Sequence, residues 1–410
     1  MFISQLKFWV WLSSLNGISA VTTSALLRFF VTPEKVYNAG IEEYKEIEGI
    51  KPAEIKSLNN KNLEIVDKTL IKCAELGCRV ITLQDVEYPD RLRNIYNPPI
   101  LLYIRGTMPL IDEEPAVAIV GTRRCTPYGL KAAENIGCLL ARSGILVVTG
   151  LAKGIDTAAA RGALRGGGIV VGVIGSGLDI IYPPENKELF DDVAVSGNVI
   201  SEYPPGSPAI PGHFPARNRI ISGLSLGVAV IEAPQKSGAL ITARWALEQG
   251  RDIFTLPGNV DSKNSEGTNA LLRDGAIPII SGEDIVEEYA DLFPDRIRTG
   301  NRFQPATPSR KSSVLAVENN QKVNRKLQSG SKKEIDNINQ VEYICLDKAL
   351  DSIAGDERAV AEAIGYSSVQ VDDIITGSGL SAPQVLTALT MLEIKGLVVR
   401  DSSMYKLKIL

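Results

Sequence analysis

Between residues 115 and 290 short apolar runs alternate with helical segments, and this alternation narrows the possible folds more than any other feature of the chain. The runs are AVAIVG (116–121), ILVVTG (145–150), GIVVGVIG (168–175), GVAVIEA (227–233), DIFTLPG (252–258) and AIPIIS (276–281), with a weaker NVISEYP at 198–204. Most end in Gly or Pro. The stretches between them (128–142, 156–164, 186–191, 218–224, 239–249 and 269–273) read as helices. A strand that is apolar throughout, rather than at every second residue, is buried on both faces. Strands of that kind alternating with helices predict an α/β domain, an extended Rossmann-like doubly wound parallel sheet spanning 106–294.

The flanks read differently. Residues 1–105 suggest a small helical domain of the SAM or helix-hairpin-helix kind. Phe8, Trp11, Leu12 and Leu15 share one helical face, and Leu26, Leu27 and Phe30 belong to a second helix. The turn in IEGIKPAEIKSL (47–58) suits either a DNA phosphate held by backbone amides or an ordinary connector. Balanced charge favours the connector. YPDRLRNIYNPPILLYIRG (88–106) reads as an extended lead-in. Residues 295–340 form a polar, basic linker, with ten cations from Arg296 to Lys333 against the single anion Glu318. Residues 341–410 carry the helix, turn, helix and two β-like runs of a winged helix. Its recognition segment, 382–395, offers only Gln384 early and no cation before Lys395, and the domain holds ten acidic against six basic residues. A duplex-reading helix presents Arg, Lys, Asn or Gln, so this domain reads as a protein-interaction module.

Several function classes are disfavoured. The net charge is −4, so any nucleic-acid site is a local patch rather than the whole surface. His213 is the only histidine, which excludes multi-histidine metal sites and makes a histidine-based triad a poor fit. The five cysteines show no paired-ligand spacing and read as reduced packing residues of a cytoplasmic protein. The apolar run Phe8 to Leu12 is too short for export or for spanning a membrane. GTRRCTPYG is not G-x-G-x-x-G, GSGLDI lacks the third glycine in place, and no Walker lysine follows a G-x-x-x-x-G run. With no nucleophile beside a base, no catalytic residue, metal or cofactor is assigned, and the protein reads as a non-enzyme.

In an open α/β sheet the ligand lies beyond the carboxyl ends of the strands, and the unusual residues of this domain fall there. Gly121, Thr122 and Arg123 follow the first strand. Gly150, Leu151, Lys153 and Gly154 follow the second. Phe214, Arg217, Asn218 and Arg219 follow the fourth, and Lys236, Ser237 and Gly238 the fifth. Glycines let backbone amides approach an anion, and each following helix presents its positive end. Several such loops along one edge exceed what one nucleotide needs and suit a string of phosphates. Phe214 beside cations suits an unpaired base, hence a single strand, although taken alone it fits a buried ring closing the sheet somewhat better. Arg217 and Arg219 are expected to face successive phosphates, or one to do so while the other braces Glu202 or Glu232. Asp156 is expected to cap its helix.

Taken in order, GTRRCTPYG, TGLAKGIDTAAARGAL, VIGSGLDIIYPPENKEL, SEYPPG, HFPARNRIISGLS, VIEAPQKSGALITARWALEQGRDIFTLPG and SEGTNALLRDGA resemble the DNA-processing protein A family, DprA or Smf, over most of the chain. The resemblance implies a cytoplasmic, homodimeric protein that binds and protects single-stranded DNA and loads the recombinase RecA during natural transformation, displacing single-strand-binding protein. It places the DNA surface on Arg123, Gly150 to Gly154, Phe214, Arg217 to Arg219 and Lys236 to Gly238. Two departures are visible. Ala160 stands where the family's GID-x-x-A-H motif has His, and the tail RDSSMYKL lacks the wing glycine. The alternatives are a nucleotide hydrolase of the lysine-decarboxylase-like LOG group, whose P-G-G-x-G-T-x-x-E run is missing from PGNVDSKNSEGTNAL, and a regulator acting through the winged helix.

Overall fold

The computed structural model describes residues 3–299, 355–364, 369–394, 398–401 and 404–407. Most of the expected linker, Cys345, Lys395 and the wing tip at 402–403 lie outside the described residues. The chain divides into two compact units, Met1–Ser309 and Arg310–Leu410.

The first unit opens with six helices: α1 Ile3–Ser14, α2 Ala20–Phe30, α3 Pro33–Asn38, α4 Ile41–Lys45, α5 Pro52–Leu58 and α6 Glu64–Glu75. Strand β1 (Arg79–Thr82), helix α7 (Asp90–Arg93) and strand β2 (Leu101–Gly106) follow. The alternating region then supplies β3 Ala116–Val120, α8 Pro127–Arg142, β4 Leu146–Thr149, α9 Ile155–Arg165, β5 Val170–Ile174, α10 Lys187–Ser196 and β6 Asn198–Ser201. It continues with α11 His213–Gly223, β7 Gly227–Val230, α12 Gly238–Glu248, β8 Asp252–Thr255, α13 Glu266–Arg273, β9 Ile277–Pro278 and α14 Glu283–Ala290.

One nine-stranded sheet runs in the order β1-β2-β6-β5-β4-β3-β7-β8-β9. From β6 to β9 every pairing is parallel. At the other edge β2 pairs antiparallel with both β6 and β1. The sheet therefore begins upstream of residue 106, where sequence composition places its start. The lead-in LLYIRG is a buried strand, and the Pro98–Pro99 pair before it disguises this.

Side chains alternate across the sheet as the pleat requires. Val117, Ile119 and Val147 face one core with α8, α9, α10 and α14. Ala118, Val120, Leu146 and Val148 face the other with α7, α11 and α12. The N-terminal helices contribute Trp9, Trp11, Leu26, Tyr44 and Leu58 to the first of these cores.

Two polar devices order the N-terminal helices. Glu54 accepts from the Lys51 amide (2.9 Å) at the start of α5, from the Ser19 amide (2.9 Å) and from the Thr22 hydroxyl (2.7 Å), so one carboxylate serves two helix starts. Burial alone would raise its pKa, but the amides of Ser19 and Lys51 and the hydroxyls of Thr22 and Ser19 outweigh that and hold it down at about 2. Lys61 donates to the Tyr44 hydroxyl (2.6 Å), with the rings of Trp11, Tyr37 and Tyr44 around its ammonium.

The second unit holds α15 Asp356–Ile364, β10 Val369–Gln370, α16 Val371–Ser378, α17 Ala382–Ile394, β11 Val398–Asp401 and β12 Met404–Leu407. Its strands pair β10-β12-β11, and Val360, Ile364, Ile374, Val385, Leu389 and Tyr405 form its own core. This is a winged helix.

Candidate nucleic-acid interface

Strand order reverses between β3 and β7, and the crevice beyond the carboxyl ends of those strands is where such a sheet takes ligand. The loops 121–126, 150–154, 175–186, 202–212 and 231–237 gather at this end.

The innermost layer is sealed by the chain itself. Asp156, in the first turn of α9, accepts from the amides of Gly150 (3.1 Å) and Ala152 (3.4 Å), and the Gly121 amide adds a third interaction. The expected helix cap is therefore a different device. The carboxylate turns back into the β4–α9 loop and fills the cradle of amides that otherwise attracts a phosphate. Arg217 is its counter-charge. Only 4% exposed, it donates to the Val173 carbonyl and lies with Asp156 against the α-carbon of Gly150. Burial pushes Asp156 up to about 6 against the pull of Arg217, and pushes Arg217 down to about 10 against the pull of Asp156.

Arg219 is also internal. It forms a bidentate pair with Glu202 (2.7 and 2.9 Å) and donates to the Asn97 carbonyl (2.9 Å). One half of the expectation for the two arginines thus holds: Arg219 braces Glu202. The other half differs, because neither guanidinium faces outward. Positions two apart on a helix point about 200° away from each other, so Arg217 turns to the sheet and Arg219 to the loops at 97 and 202. Asn218 is buried too and donates to the Gly238 carbonyl (3.2 Å). Glu232 takes no arginine. It accepts from the amide and hydroxyl of Thr126 and from Asn264, pinning the loops on either side of the β3–β7 crevice.

The outer layer is what a ligand can reach. Arg123 is exposed and lies over the rings of Phe214 (5.1 Å) and Tyr182 (5.9 Å), which contact each other at 5.5 Å. Two loops and the first turn of α11 meet in this cluster. Phe214 is half-buried and lies above Gly175, where an added Cβ would come within 3.2 Å of its ring. Tyr203 and His213 stack alongside (3.8 Å), with His213 Nδ1 3.1 Å from the Gly175 carbonyl oxygen. Lys153 and Lys236 are exposed, and Lys153 pairs with Glu185 (3.1 Å). Such an exposed pair opens at little cost, leaving the ammonium available.

The remaining expected residues build the backbone. Gly121 abuts Ile155, and Gly154, at φ 87°, sits where a Cβ would lie 2.6 Å from the Thr122 carbonyl. Thr122 ties its amide to the Glu232 carbonyl (2.8 Å), and Leu151 is buried at φ 50°. Ser237 caps α12 by accepting from the Ala239 amide (3.2 Å), and Gly238 is open to solvent.

Sequence reasoning omitted Tyr182, and it took Asp179 only as an available carboxylate. The signal for Tyr182 was an aromatic inside GSGLDIIYPPEN at a strand's carboxyl end. Asp179 joins Gly206 (2.6 Å) to Lys72 of α6 (2.5 Å), connecting the loop that holds Tyr182 with the one leading to His213.

Comparison with known proteins bears on this layout. Residues 79–290 match the family described as DNA recombination-mediator protein A, and residues 347–402 match the DprA winged helix domain. Protein Smf of Synechocystis is 38% identical over 287 residues, covering 69% of this chain and 72% of that protein. The DNA processing protein DprA of Streptococcus pneumoniae is 46% identical over 202 residues, covering 49% of this chain and 71% of that protein. An X-ray structure of DprA from Streptococcus pneumoniae superposes with a TM-score of 0.61 at 34% identity, covering 69% of this chain and 97% of that one.

Proposed function

The chain belongs to the DNA recombination-mediator protein A family, and from that premise we propose that it binds single-stranded DNA along the carboxyl edge of its sheet and acts as a mediator rather than as a catalyst. The observation that carries this reading is the two-layered site. The inner amide cradle is filled by Asp156, so a nucleotide's phosphate does not enter as it would in a nucleotide-binding relative of the fold. Outside it, the exposed Arg123 and the rings of Phe214 and Tyr182 offer charge and stacking faces together. Stacking needs an unpaired base, which favours single strands over duplex.

Within that reading, the protein is a cytoplasmic homodimer. It protects incoming single strands and hands them to the recombinase RecA during natural transformation, with single-strand-binding protein displaced. Among the described residues no helix is long and apolar enough to cross a membrane.

A salt titration of thymidine-oligomer binding, run beside a duplex of equal length, tests the DNA site. Arg123→Ala should weaken binding and make the log–log salt slope shallower by about 0.7, the contribution of one phosphate contact on a single strand. Phe214→Ala should cost about 1–3 kcal/mol of binding. Unchanged affinity and slope in both variants, or equal affinity for duplex, would overturn the assignment.

A further inference from the structure

We propose that Tyr182 is a second stacking residue, and that with Phe214 it forms a two-base step at which consecutive bases of one strand are held splayed apart; this rests on the single-strand reading above. Tyr182 is 43% exposed, so its ring is not committed to the core. Its hydroxyl makes no hydrogen bond among the described residues. The loop beneath it is nevertheless fixed: Ser176 Oγ donates to the Ile180 carbonyl (2.7 Å), Asn186 to the Leu151 carbonyl (3.0 Å), and Asp179 accepts from Gly206. A pinned loop that presents an uncommitted aromatic face has ordered a binding element in advance.

The geometry defines what the two rings can hold. Their centroids are 5.5 Å apart and their planes differ by 44°. A base cannot enter between them, since contact on both of its faces needs about twice the 3.5–4.0 Å carbon–carbon distance. The rings therefore make a bent ledge, each offering a face of its own. The two ring planes are tilted 44° from each other, so two bases lying flat on the two rings are inclined to one another and cannot stay stacked. Duplex and stacked single strands are disfavoured by the same tilt. Arg123 lies over both rings, so two bases taking the ring faces would displace its exposed guanidinium, which is then placed to meet the phosphate linking the two nucleotides.

Affinities for a thymidine oligomer and for an abasic oligomer of equal length, measured for wild type, Tyr182→Ala, Tyr182→Leu, Tyr182→Phe and Phe214→Ala, test this step. The Ala and Leu variants should bind the thymidine strand about 5- to 150-fold more weakly, the effect of losing one base–aromatic stack. Tyr182→Phe should retain wild-type affinity, and all proteins should bind the abasic strand alike. Wild-type affinity in Tyr182→Ala, with Phe214→Ala weakened, would overturn the second stack and leave the single-strand reading standing. Equal weakening on both strands would make Tyr182 merely structural and also overturn it. A Phe214→Ala variant that binds the thymidine strand like wild type would instead strike at the parent reading.

Discussion

Gly150 lies where any side chain would meet both members of the buried charge pair. A Cβ there would come within 2.6 Å of Asp156 Oδ2 and closer still to the Arg217 guanidinium. Gly150→Ala should therefore destabilise the protein by about 1–3 kcal/mol through overpacking, and by more if the pair is forced apart. Urea unfolding of the variant checks this, and an unchanged midpoint would show that the pair yields freely. The residue types along this edge were legible in the sequence; their depth was not. Glycine spacing and the Arg-Asn-Arg run read as an anion-binding edge. Only the three-dimensional partners reveal that Asp156 has taken the inner amides and Glu202 has taken Arg219. The angular relation of positions 217 and 219 on one helix could have shown that they cannot share a target. Charge in a sequence does not say whether its partner is a ligand or a carboxylate from a distant loop.

At the level of elements, α2 and α5 depend on Glu54, which is buried and held down at about 2 by the groups that donate to it. Its pKa in the unfolded chain is near the ordinary 4.5, so the folded state favours the ionised form. That contribution is complete above pH 4.5 and is lost as pH falls towards 2. Its size is on the order of 3 kcal/mol. Glu54→Gln should lower the urea midpoint at pH 7, and the gap to wild type should close between pH 4.5 and 2. A gap independent of pH would mean that the hydrogen bonds do not distinguish carboxylate from amide. The parallel strands were legible because burial on both faces leaves continuous apolar runs. The antiparallel pair β1 and β2 was not. RVIT is short and begins with an exposed arginine, and LLYIRG follows a proline pair that usually marks a loop.

For the whole molecule, the first unit ends later than composition suggests. Ile297 is buried in the larger core, the Arg298 amide donates to the Ser143 carbonyl (3.0 Å), and Arg296 pairs with Glu114 (2.9 Å). A chain ending after Arg298 should fold and bind the thymidine oligomer like the full chain, whereas one ending after Phe293 should lose stability; loss of binding in the longer fragment would assign affinity to the linker or the winged helix. Asp156 has a consequence on the scale of the cell. Free nucleotides are abundant there, and an open amide cradle would be saturated by them, making the protein a poor competitor for its own polymer. On the single-strand reading proposed above, a chain that furnishes the anion itself should respond weakly to monomers. A lone nucleotide reaches the outer ledge and one or another of its exposed cations, whereas a strand adds one weak foothold to the next. Millimolar ATP should consequently leave a labelled thymidine oligomer bound, and its displacement would show that the cradle still admits a guest.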